Sequence, residues 1–365
     1  MNKNIIFGIF TTLLATIACS GSSEEVEEFQ ESGVNQNTTI SLSKIDSLVL
    51  NPHDHMIGRL RESMNVSPSG EILAFVDNPR QQIYLFDNKG SLLQVIGGKG
   101  SGPAEFLQIS GYFIDEKNRL IVTDESQFLV KIFDLNGELL NTFPLFDNQN
   151  LYIASRDIYV YDNILYLQIY EADQAHDVKN SRLIGRYHIT GEFMDLIGRY
   201  DPLVENSNHY LVGHNFTIDE SENILISGFE TAYRVQVFDI PERDPRDYFG
   251  RQPTYWNVLD ERIEPGMPRE VIMSRTVGKS YNLGVFYTED LFLHHFQNMT
   301  ESWYQSSDYG EKLNFLSIYN RDNLNYSGSI EINGFLGSVT NGKLYIIEDF
   351  NPDHFTIGIY EIYLD

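Results

Sequence analysis

The sequence predicts an all-β fold: a six-bladed β-propeller of four-stranded antiparallel blades, closed by an N-terminal strand that joins the last blade. Three observations lead to this prediction. A strand pattern repeats six times, a hairpin pattern follows most of its copies, and one further strand precedes the first copy. A repeat at this spacing is typical of propeller blades.

The repeated strand pattern is a polar turn with Gly, Asn or Asp, then an apolar run of strand length, and usually an acid. Its copies lie at Ser67–Asn78, Asp115–Ser126, Val160–Glu171, Asp219–Glu230, Tyr287–Phe296 and Val339–Phe350. Apolar runs bounded by such turns are typical of β-strands. Each copy therefore predicts one turn and one strand of a blade.

The hairpin pattern supplies the second half of each blade. QIYLFDNKGSLLQVIG at Gln82–Gly97 parallels LVKIFDLNGELLNTFP at Leu129–Pro144, and LIGRYHITGEFMDLIG at Leu183–Gly198 is a third copy. Looser copies lie at Tyr233–Arg243 and Asn314–Ile332. Asn and Gly in the turns tolerate the positive φ that tight hairpins demand. Strand, strand, hairpin and strand together predict a four-stranded blade.

The stretch TISLSKIDSLVL, Thr39–Leu50, has no partner hairpin of its own. We expect it to complete the last blade beside FTIGIYEIYL, Phe355–Leu364, because a closed ring leaves no exposed edge strand. The propeller then covers residues 39–365. It carries insertions at about 241–281 and 297–312, and such excursions from a rigid scaffold commonly hold binding residues.

Residues 1–18 have the parts of a secretory signal peptide: Lys3, an apolar run from Ile5 to Leu14, and small residues before Cys19. TIAC at Thr16–Cys19 resembles the lipobox of bacterial lipoproteins, although Leu is commoner than Thr at its first position. The resemblance implies that Cys19 is diacylated and becomes the mature N-terminus. Cys19 is the only cysteine, so an internal disulfide is excluded. An ordinary signal with a stray cysteine is the alternative.

Residues 19–38 are polar and acidic, and their composition predicts a disordered tether. Ser20 is not Asp, which by analogy with enterobacterial sorting predicts an outer-membrane lipoprotein. The acidic run Glu24–Glu28 resembles the export signals of surface lipoproteins in Bacteroidetes-type bacteria. A solvated spacer explains the same residues, so both the cell surface and the periplasmic face stay open.

The net charge of −26 argues against a nucleic-acid partner, because the phosphate backbone would be repelled. Lys and Arg form no run. The predicted contact with the membrane is through the N-terminal lipid only. The classes of partner that remain are a glycan, a peptide and an envelope protein.

The loop GGKGSGPAEF, Gly97–Phe106, is predicted to be a turn between blades. It lacks the lysine followed by Ser or Thr, and the helix, that a phosphate-binding loop needs. Together with the preceding hairpin it resembles a segment of the six-bladed β-propeller lipoproteins of Bacteroidetes-type bacteria, relatives of NHL-repeat propellers. That resemblance covers about Thr39 to Asp365 and implies a fold and a cellular location but no activity. Glu105 is predicted to cap N–H groups of the turn.

The inner strand of each propeller blade lines a central channel, and we expect the repeated strand to be that strand. Its polar ends include the candidate metal ligands Asp77, Asp124, Glu230, His295 and Asp349. Carboxylates with a histidine suit Ca²⁺ or a catalytic divalent ion, although no cofactor is required by the pattern. The alternative is that these acids cap strand ends.

The aromatic residues of the insertions are candidate ligand contacts. They are Tyr255, Trp256, Trp303 and Tyr304. Aromatic side chains stack on sugars or anchor peptides, and the alternative is that they pin their own loops to the propeller. With no serine nucleophile elbow and no thiol left after lipidation, no catalytic residue is assigned. The sequence favours a non-catalytic binding module; the alternative is a metal-dependent hydrolase or lyase with its site at the axial channel mouth.

Replacing Cys19 by Ser removes the thiol that the lipobox resemblance predicts to be acylated. We expect the wild-type protein, expressed in a Bacteroidetes-type host with a labelled fatty acid, to carry the label. The Cys19→Ser variant is expected to lose it. Equal labelling of the two proteins would contradict lipidation at Cys19.

Overall fold

A computed structural model describes residues 39–52, 55, 57–61, 63–171, 182–201, 204, 213–240, 242–251, 253, 255–264, 266–306, 311–350 and 355–364. The predicted signal peptide, the tether and Cys19 lie outside the described residues. The fold below is built from the described ranges.

The described residues form 24 strands in six four-stranded antiparallel sheets, which confirms the all-β, six-bladed propeller. The first strand in the chain is β1 (Ile40–Val49). Blade one contains β2 (Asn65–Val66), β3 (Ile72–Asp77), β4 (Gln82–Asp87) and β5 (Leu92–Gly97). Blade two contains β6 (Ile109–Ile114), β7 (Arg119–Asp124), β8 (Leu129–Asp134) and β9 (Leu139–Pro144). Blade three contains β10 (Tyr152–Tyr161), β11 (Ile164–Glu171), β12 (Ile184–His188) and β13 (Phe193–Ile197).

The later blades follow the same order. Blade four contains β14 (His214–Asp219), β15 (Ile224–Phe229), β16 (Val235–Asp239) and β17 (Asp247–Phe249). Helix α1 (Arg269–Thr276) comes next in the chain. Blade five contains β18 (Ser280–Tyr287), β19 (Leu291–Asn298), β20 (Leu313–Asn320) and β21 (Tyr326–Ile332), with α2 (Glu301–Ser306) between β19 and β20. Blade six contains β22 (Phe335–Thr340), β23 (Lys343–Asp349), β24 (Thr356–Leu364) and β1.

The first strands of successive blades contact one another in a closed circle: β2, β6, β10, β14, β18, β22 and again β2. Neighbouring inner strands run in the same direction. Arg61, just before β2, donates to the carbonyl oxygens of Ile109 and Ser110 at the start of β6. Farther along, the Ile114 N–H at the end of β6 donates to Asn65 Oδ1 at 2.8 Å. The ring therefore has one end where the inner strands begin and another where they finish.

The two ends of the described chain meet in blade six. β1 pairs with β24 in antiparallel register from Ile40↔Leu364 to Val49↔Thr356. Leu48 and Leu50 are buried and pack in one cluster with Phe355. The pairing expected between the N-terminal strand and the C-terminal strand is thus present in this sheet, and it covers an edge of β24 that would otherwise lie open.

Apolar side chains fill the space between neighbouring blades. In one cluster Ala74 and Val76 of blade one pack with Ile114 and Leu120 of blade two. In another, Ile226 of blade four packs with residues of blade five. A single four-stranded sheet cannot bury both of its faces, so each blade depends on its neighbours for its core.

The hairpin turns combine a glycine with an aspartate. Gly90 has a φ of +83°, and a Cβ there would lie 2.3 Å from the Val49 carbonyl oxygen. Asp87 Oδ1 accepts hydrogen bonds from the N–H groups of Lys89 and Ser91. The predicted turn is present, but only its glycine takes positive φ, and the aspartate side chain orders the other residues.

The glycine-rich loop between blades one and two is a turn and is followed by β6 rather than by a helix. Glu105 Oε2 accepts a hydrogen bond from Gly102 N–H at 2.9 Å, which confirms the predicted cap. The buried Lys131 reaches into the same loop and donates to the carbonyl oxygens of Gly102 and Glu105. The lysine and the carboxylate satisfy the loop backbone from within the protein.

The predicted insertion at about 241–281 is shorter than expected, because β17 lies inside it and completes blade four. β17 has only three residues and follows a proline-containing stretch, so the strand pattern does not reveal it. The excursion that follows β17 contains α1, and the second excursion contains α2. Neither helix, nor any other helix within the described ranges, is long and apolar enough to cross a membrane.

Candidate functional site: the axial cavity

A cavity of about 1310 Å³ lies inside the ring of inner strands. Every blade contributes to its wall from its first strand. Representative wall residues are Asn65, Tyr112, Tyr159, Thr217, Val285 and Ser338. Because all six blades meet there, this cavity is the place where the fold concentrates side chains from the whole chain.

The candidate metal ligands do not lie on this wall. Asp77, Asp124 and Asp349 end β3, β7 and β23, the second strands of their blades. Glu230 directly follows the second strand β15, and His295 lies within the second strand β19. The prediction that the repeated strand is innermost is therefore wrong by one strand, since the first strand of each sheet faces the axis.

Three of these acids hold the backbone that leads into their own blade. Asp77 accepts from Gly58 N–H at 2.6 Å, and Asp124 accepts from Leu107 N–H at 2.8 Å. Burial raises the pKa of Glu230, and a hydrogen bond from Gly213 N–H acts in the opposite direction. In these three blades the acid at the end of the second strand anchors the segment just before the first strand, as a cap of the kind that acidic side chains provide.

The two adjacent histidines of β19 point to opposite faces, as neighbours on a strand must. The His294 ring lies 5.9 Å from that of Trp256, and the His295 ring lies 4.8 Å from that of Phe335. His295 Nε2 is 3.2 Å from Asn314 Oδ1. Burial lowers the pKa of both histidines to about 3. Across the described part of the chain, no three His, Cys, Asp or Glu side chains come together as a metal site.

The charged residues of the cavity wall gather at its two ends, with Glu125 and Asp157 near the cations of one end and Arg321 near the acids of the other. Where the inner strands begin, the wall carries a group of cations that we call the arginine mouth. Its members are Arg59, Arg61, Arg156 and Lys312. Where the inner strands finish, the wall carries acids that we call the glutamate mouth. Its members are Glu116, Glu220 and Glu289.

Both insertions leave the blades at the arginine mouth. Strands alternate in direction within a blade, so β17 ends, and β18 begins, at this end of the ring. β19 ends there too, and β20 begins there. Lys312 lies on the cavity wall and places its Nζ 4.6 Å from the centre of the Trp303 ring. The second insertion is therefore in contact with the cavity mouth through this lysine.

A β-bulge in β10 places two charged residues on the cavity wall. The register changes from Ala154↔Ile169 to Ile158↔Leu167, so three residues of β10 stand opposite one of β11. Arg156 and Asp157 lie in this bulge and line the cavity. Bulges re-aim side chains and are common beside functional sites.

Asp157 connects β10 to β14 by accepting a hydrogen bond from Phe216 N–H at 2.8 Å. Burial raises the pKa of Asp157 to about 7. The Phe216 hydrogen bond and the charge of Arg156 lower this pKa, while the charge of Glu230 raises it. Burial is the largest of these effects, so this carboxyl group titrates near neutral pH.

At the glutamate mouth, burial together with the charge of Glu116 raises the pKa of Glu220 to about 7. Burial also raises the pKa of the neighbouring Tyr159. Arg321, the cation on this side, is paired with Asp219 at 2.6 Å and joins blade four to blade five. The cation at this end is thus neutralised by the protein itself, whereas Arg61 and Arg156 at the arginine mouth form no ion pair among the described residues.

The aromatic candidates of the insertions lie near the arginine mouth but not on the cavity wall. Trp256 is buried and packs on Phe296. Tyr255 is 48% exposed and stacks one face on Phe315, with ring centres 4.9 Å apart. Tyr255 is therefore the candidate with the most open surface.

The remaining two aromatic candidates join the insertions to each other. The hydroxyl groups of Tyr304 and Thr276 are hydrogen-bonded, which links α2 to α1. Trp303 and Tyr304 contact edge to face, with ring centres 4.6 Å apart. These contacts fix the two excursions relative to each other over one side of the propeller.

Sequence reasoning did not find Arg61 and Arg156. Arg61 lies in an irregular segment before β2, and Arg156 lies in a bulge that breaks the alternation of its strand. One sequence signal does indicate the charged bulge: the segment IASRDIYV places two adjacent charges in an otherwise apolar strand. Charges at such positions are costly unless they face a polar cavity.

Comparison with known proteins supports the architecture. Residues 22–187 match the family DUF5128, described as a 6-bladed beta-propeller. A member of the duf4221 family from Bacteroides vulgatus superposes with a TM-score of 0.70 at 14% identity, covering 89% of this chain and 99% of that chain. A Bacteroides fragilis structure described as "Putative exported protein" gives a TM-score of 0.53 at 14% identity, covering 89% and 95%. No curated protein sequence matches significantly. At these identities the solved structures show the fold alone.

Replacing Asp157 by Asn tests the titration of the cavity wall. Because the folded-state pKa of Asp157 is raised to about 7, its contribution to stability is complete below the unfolded pKa and is lost as pH rises towards 7. The Asp157→Asn variant keeps an acceptor for Phe216 N–H but does not titrate. We expect the fall of its unfolding free energy between about pH 4 and pH 7 to be shallower by up to about 1.4 kcal/mol per pH unit.

Chemical denaturation at a series of pH values measures this difference. Glu138→Gln, which removes an exposed carboxylate from a hairpin turn, is the matched control. Identical slopes for Asp157→Asn and the wild-type protein would show that Asp157 is already ionised well below neutral pH.

Proposed function

We propose that this protein is an exported, lipid-anchored outer-membrane propeller that acts as a non-catalytic binding module. Its ligand, a glycan, a peptide or part of an envelope protein, is held in the axial cavity at the arginine mouth. The observation that carries this proposal is the cavity itself, with cations from blades one, three and five converging at one end.

The size and rigidity of the cavity support a ligand site. Its volume of about 1310 Å³ exceeds the usual range of roughly 300–1,000 Å³ for small-molecule pockets. The wall is made of hydrogen-bonded strands from six mutually packed blades, so the site exists before the ligand arrives. Preorganisation of this kind lowers the entropic cost of binding.

The position of the insertions supports a binding site at the same end of the ring. The two excursions that contain α1 and α2 stand beside the arginine mouth and are linked to each other through Thr276 and Tyr304. Tyr255 offers an exposed aromatic ring there. Loops on one face of a rigid scaffold are a common place for recognition.

The proposed location rests on the N-terminal sequence. The signal-like residues 1–18, Cys19 in its lipobox-like context and the acidic tether favour a lipoprotein that faces the cell surface. The similarity in fold to two Bacteroides structures, one of them described as "Putative exported protein", is in keeping with export. Kinship with NHL-repeat propellers is part of the same proposal.

The hydrogen bonds of Asp77 and Asp124 favour a binding module over a metal-dependent hydrolase or lyase. Each carboxylate is already engaged by backbone N–H groups of its own blade. Metal analysis of the purified protein separates the two functions, because the enzyme requires a stoichiometric metal that is lost together with activity when Asp124 is replaced by Ala.

Filling the cavity tests the binding function directly. Thr217 lies on the cavity wall in β14, so the Thr217→Trp variant places an indole where the ligand is expected. Oligosaccharides and peptides prepared from the native envelope are screened by thermal shift against the full chain in detergent. We expect at least one fraction to raise the Tm of the wild-type protein and to leave the Tm of Thr217→Trp unchanged.

Thr142→Trp is the matched control, because Thr142 is exposed on the outer strand β9. It is expected to respond to the ligand as the wild-type protein does. A wild-type protein that no fraction stabilises, or a ligand that stabilises Thr217→Trp equally, would exclude the axial cavity as the binding site.

A further inference from the structure

We propose that the arginine mouth binds an oxyanion, the carboxylate or phosphate group of the ligand, between the guanidinium groups of Arg61 and Arg156. This inference rests on the proposed binding function and names the chemistry that the ligand must carry. It follows from the way in which the two arginines are held.

Arg61 is fixed by neutral acceptors. Its Nε and Nη2 donate to Asn78 Oδ1 at 3.2 and 2.7 Å, Nη1 donates to Ser110 O at 2.7 Å, and Nη2 donates to Ile109 O at 2.5 Å. None of the ion pairs among the described residues involves Arg61. These bonds orient the guanidinium group without neutralising it.

Arg156 is presented to the cavity by the bulge of β10. Its side chain is exposed, and within the described part of the chain it forms neither a hydrogen bond nor an ion pair. A guanidinium group has five N–H donors in a planar fork that matches carboxylate and phosphate oxygens. Arg156 therefore has its donors available for a ligand.

The two arginines repel each other. Burial is the main effect that lowers the pKa of Arg61, and the positive charge of Arg156 lowers it further, while Tyr112 and Glu125 raise it. Two cations held together at the edge of a cavity are destabilising unless an anion lies near both. An oxyanion between them removes the repulsion and gains charge-assisted hydrogen bonds.

The surrounding acids do not take the place of that anion. Glu125, Asp157 and Glu230 are the carboxyl groups whose charges act on this pair of arginines. Burial raises the pKa of all three, to about 7 for Asp157. None of the ion pairs among the described residues joins one of these acids to Arg61 or Arg156, so neither guanidinium group is neutralised by direct contact.

The contrast between the mouth and the rest of the molecule gives the inference its specificity. A strongly acidic protein repels anions over most of its surface. Unlike the paired Arg321 at the other end of the cavity, Arg61 and Arg156 have no carboxylate within ion-pair distance among the described residues. The volume of the cavity indicates that the oxyanion is one group of a larger ligand, such as an acidic sugar.

Calorimetric titration of the full chain in detergent tests this inference with three probes: D-glucuronate, D-glucose and inorganic phosphate. We expect binding of glucuronate or phosphate and none of glucose, and the anion with the higher affinity identifies the source of the oxyanion. Arg156→Gln is expected to weaken that binding by about tenfold or more, the usual effect of losing a charged hydrogen bond. Arg156→Lys keeps the charge but not the planar fork of donors. Its affinity for the anion is expected to lie between those of the wild-type protein and Arg156→Gln.

Arg243→Gln is the matched control, because Arg243 is 63% exposed and pairs with Asp195 away from the cavity. It removes the same charge and is expected to bind as the wild-type protein does. Glucose binding equal to glucuronate, failure of both anions to bind, or equal affinity of Arg156→Gln and the wild-type protein would overturn the inference. The binding function would survive that result if an envelope ligand still stabilised the wild-type protein but not Thr217→Trp.

Discussion

Contact among the six inner strands in a closed circle is the constraint on which the rest of the molecule depends. Among the described residues, each of the six large apolar clusters combines side chains of two neighbouring blades. The circle closes where β22 of the last sheet contacts β2, and that sheet takes its outermost strand, β1, from the start of the propeller. Pairing of β1 with β24 therefore joins the two ends of the described propeller within one sheet and covers the edge of β24.

The same circle creates the cavity and sets its chemistry. Inner strands that run in one direction bring residues of equal position in each blade to the same level of the axis. The acids that follow β6, β14 and β18 gather at one end, while Arg61 and Arg156 gather at the other. The placement of these charges along the axis is thus a consequence of strand direction and of a few residue choices.

The sequence predicted the repeated parts of the molecule because their physics is local. Alternating apolar runs, the Asp87–Gly90 type of turn and the cap at Glu105 each depend on a few neighbouring residues. The inner strands were harder to find, because β2 has two residues and β10 contains a bulge. The repeated second strand is more regular, which is why the sequence pattern predicts that its polar end at Asp77 or Asp124 faces the axis. The roles of Arg61 and Arg156 depend on contacts between blades, which no single stretch of sequence encodes.

Amide hydrogen exchange of the full chain, followed by mass spectrometry of peptides from β1 and β24, tests ring closure most directly. The account predicts that Thr356–Leu364 exchanges as slowly as the central strands of blade two, because β24 is hydrogen-bonded on both sides while β1 is paired. Ile40–Val49, the edge strand of that sheet, is expected to exchange faster than β24 but more slowly than the loops. Rapid exchange in both segments, with blades one to five still protected, would contradict closure by this pair of strands.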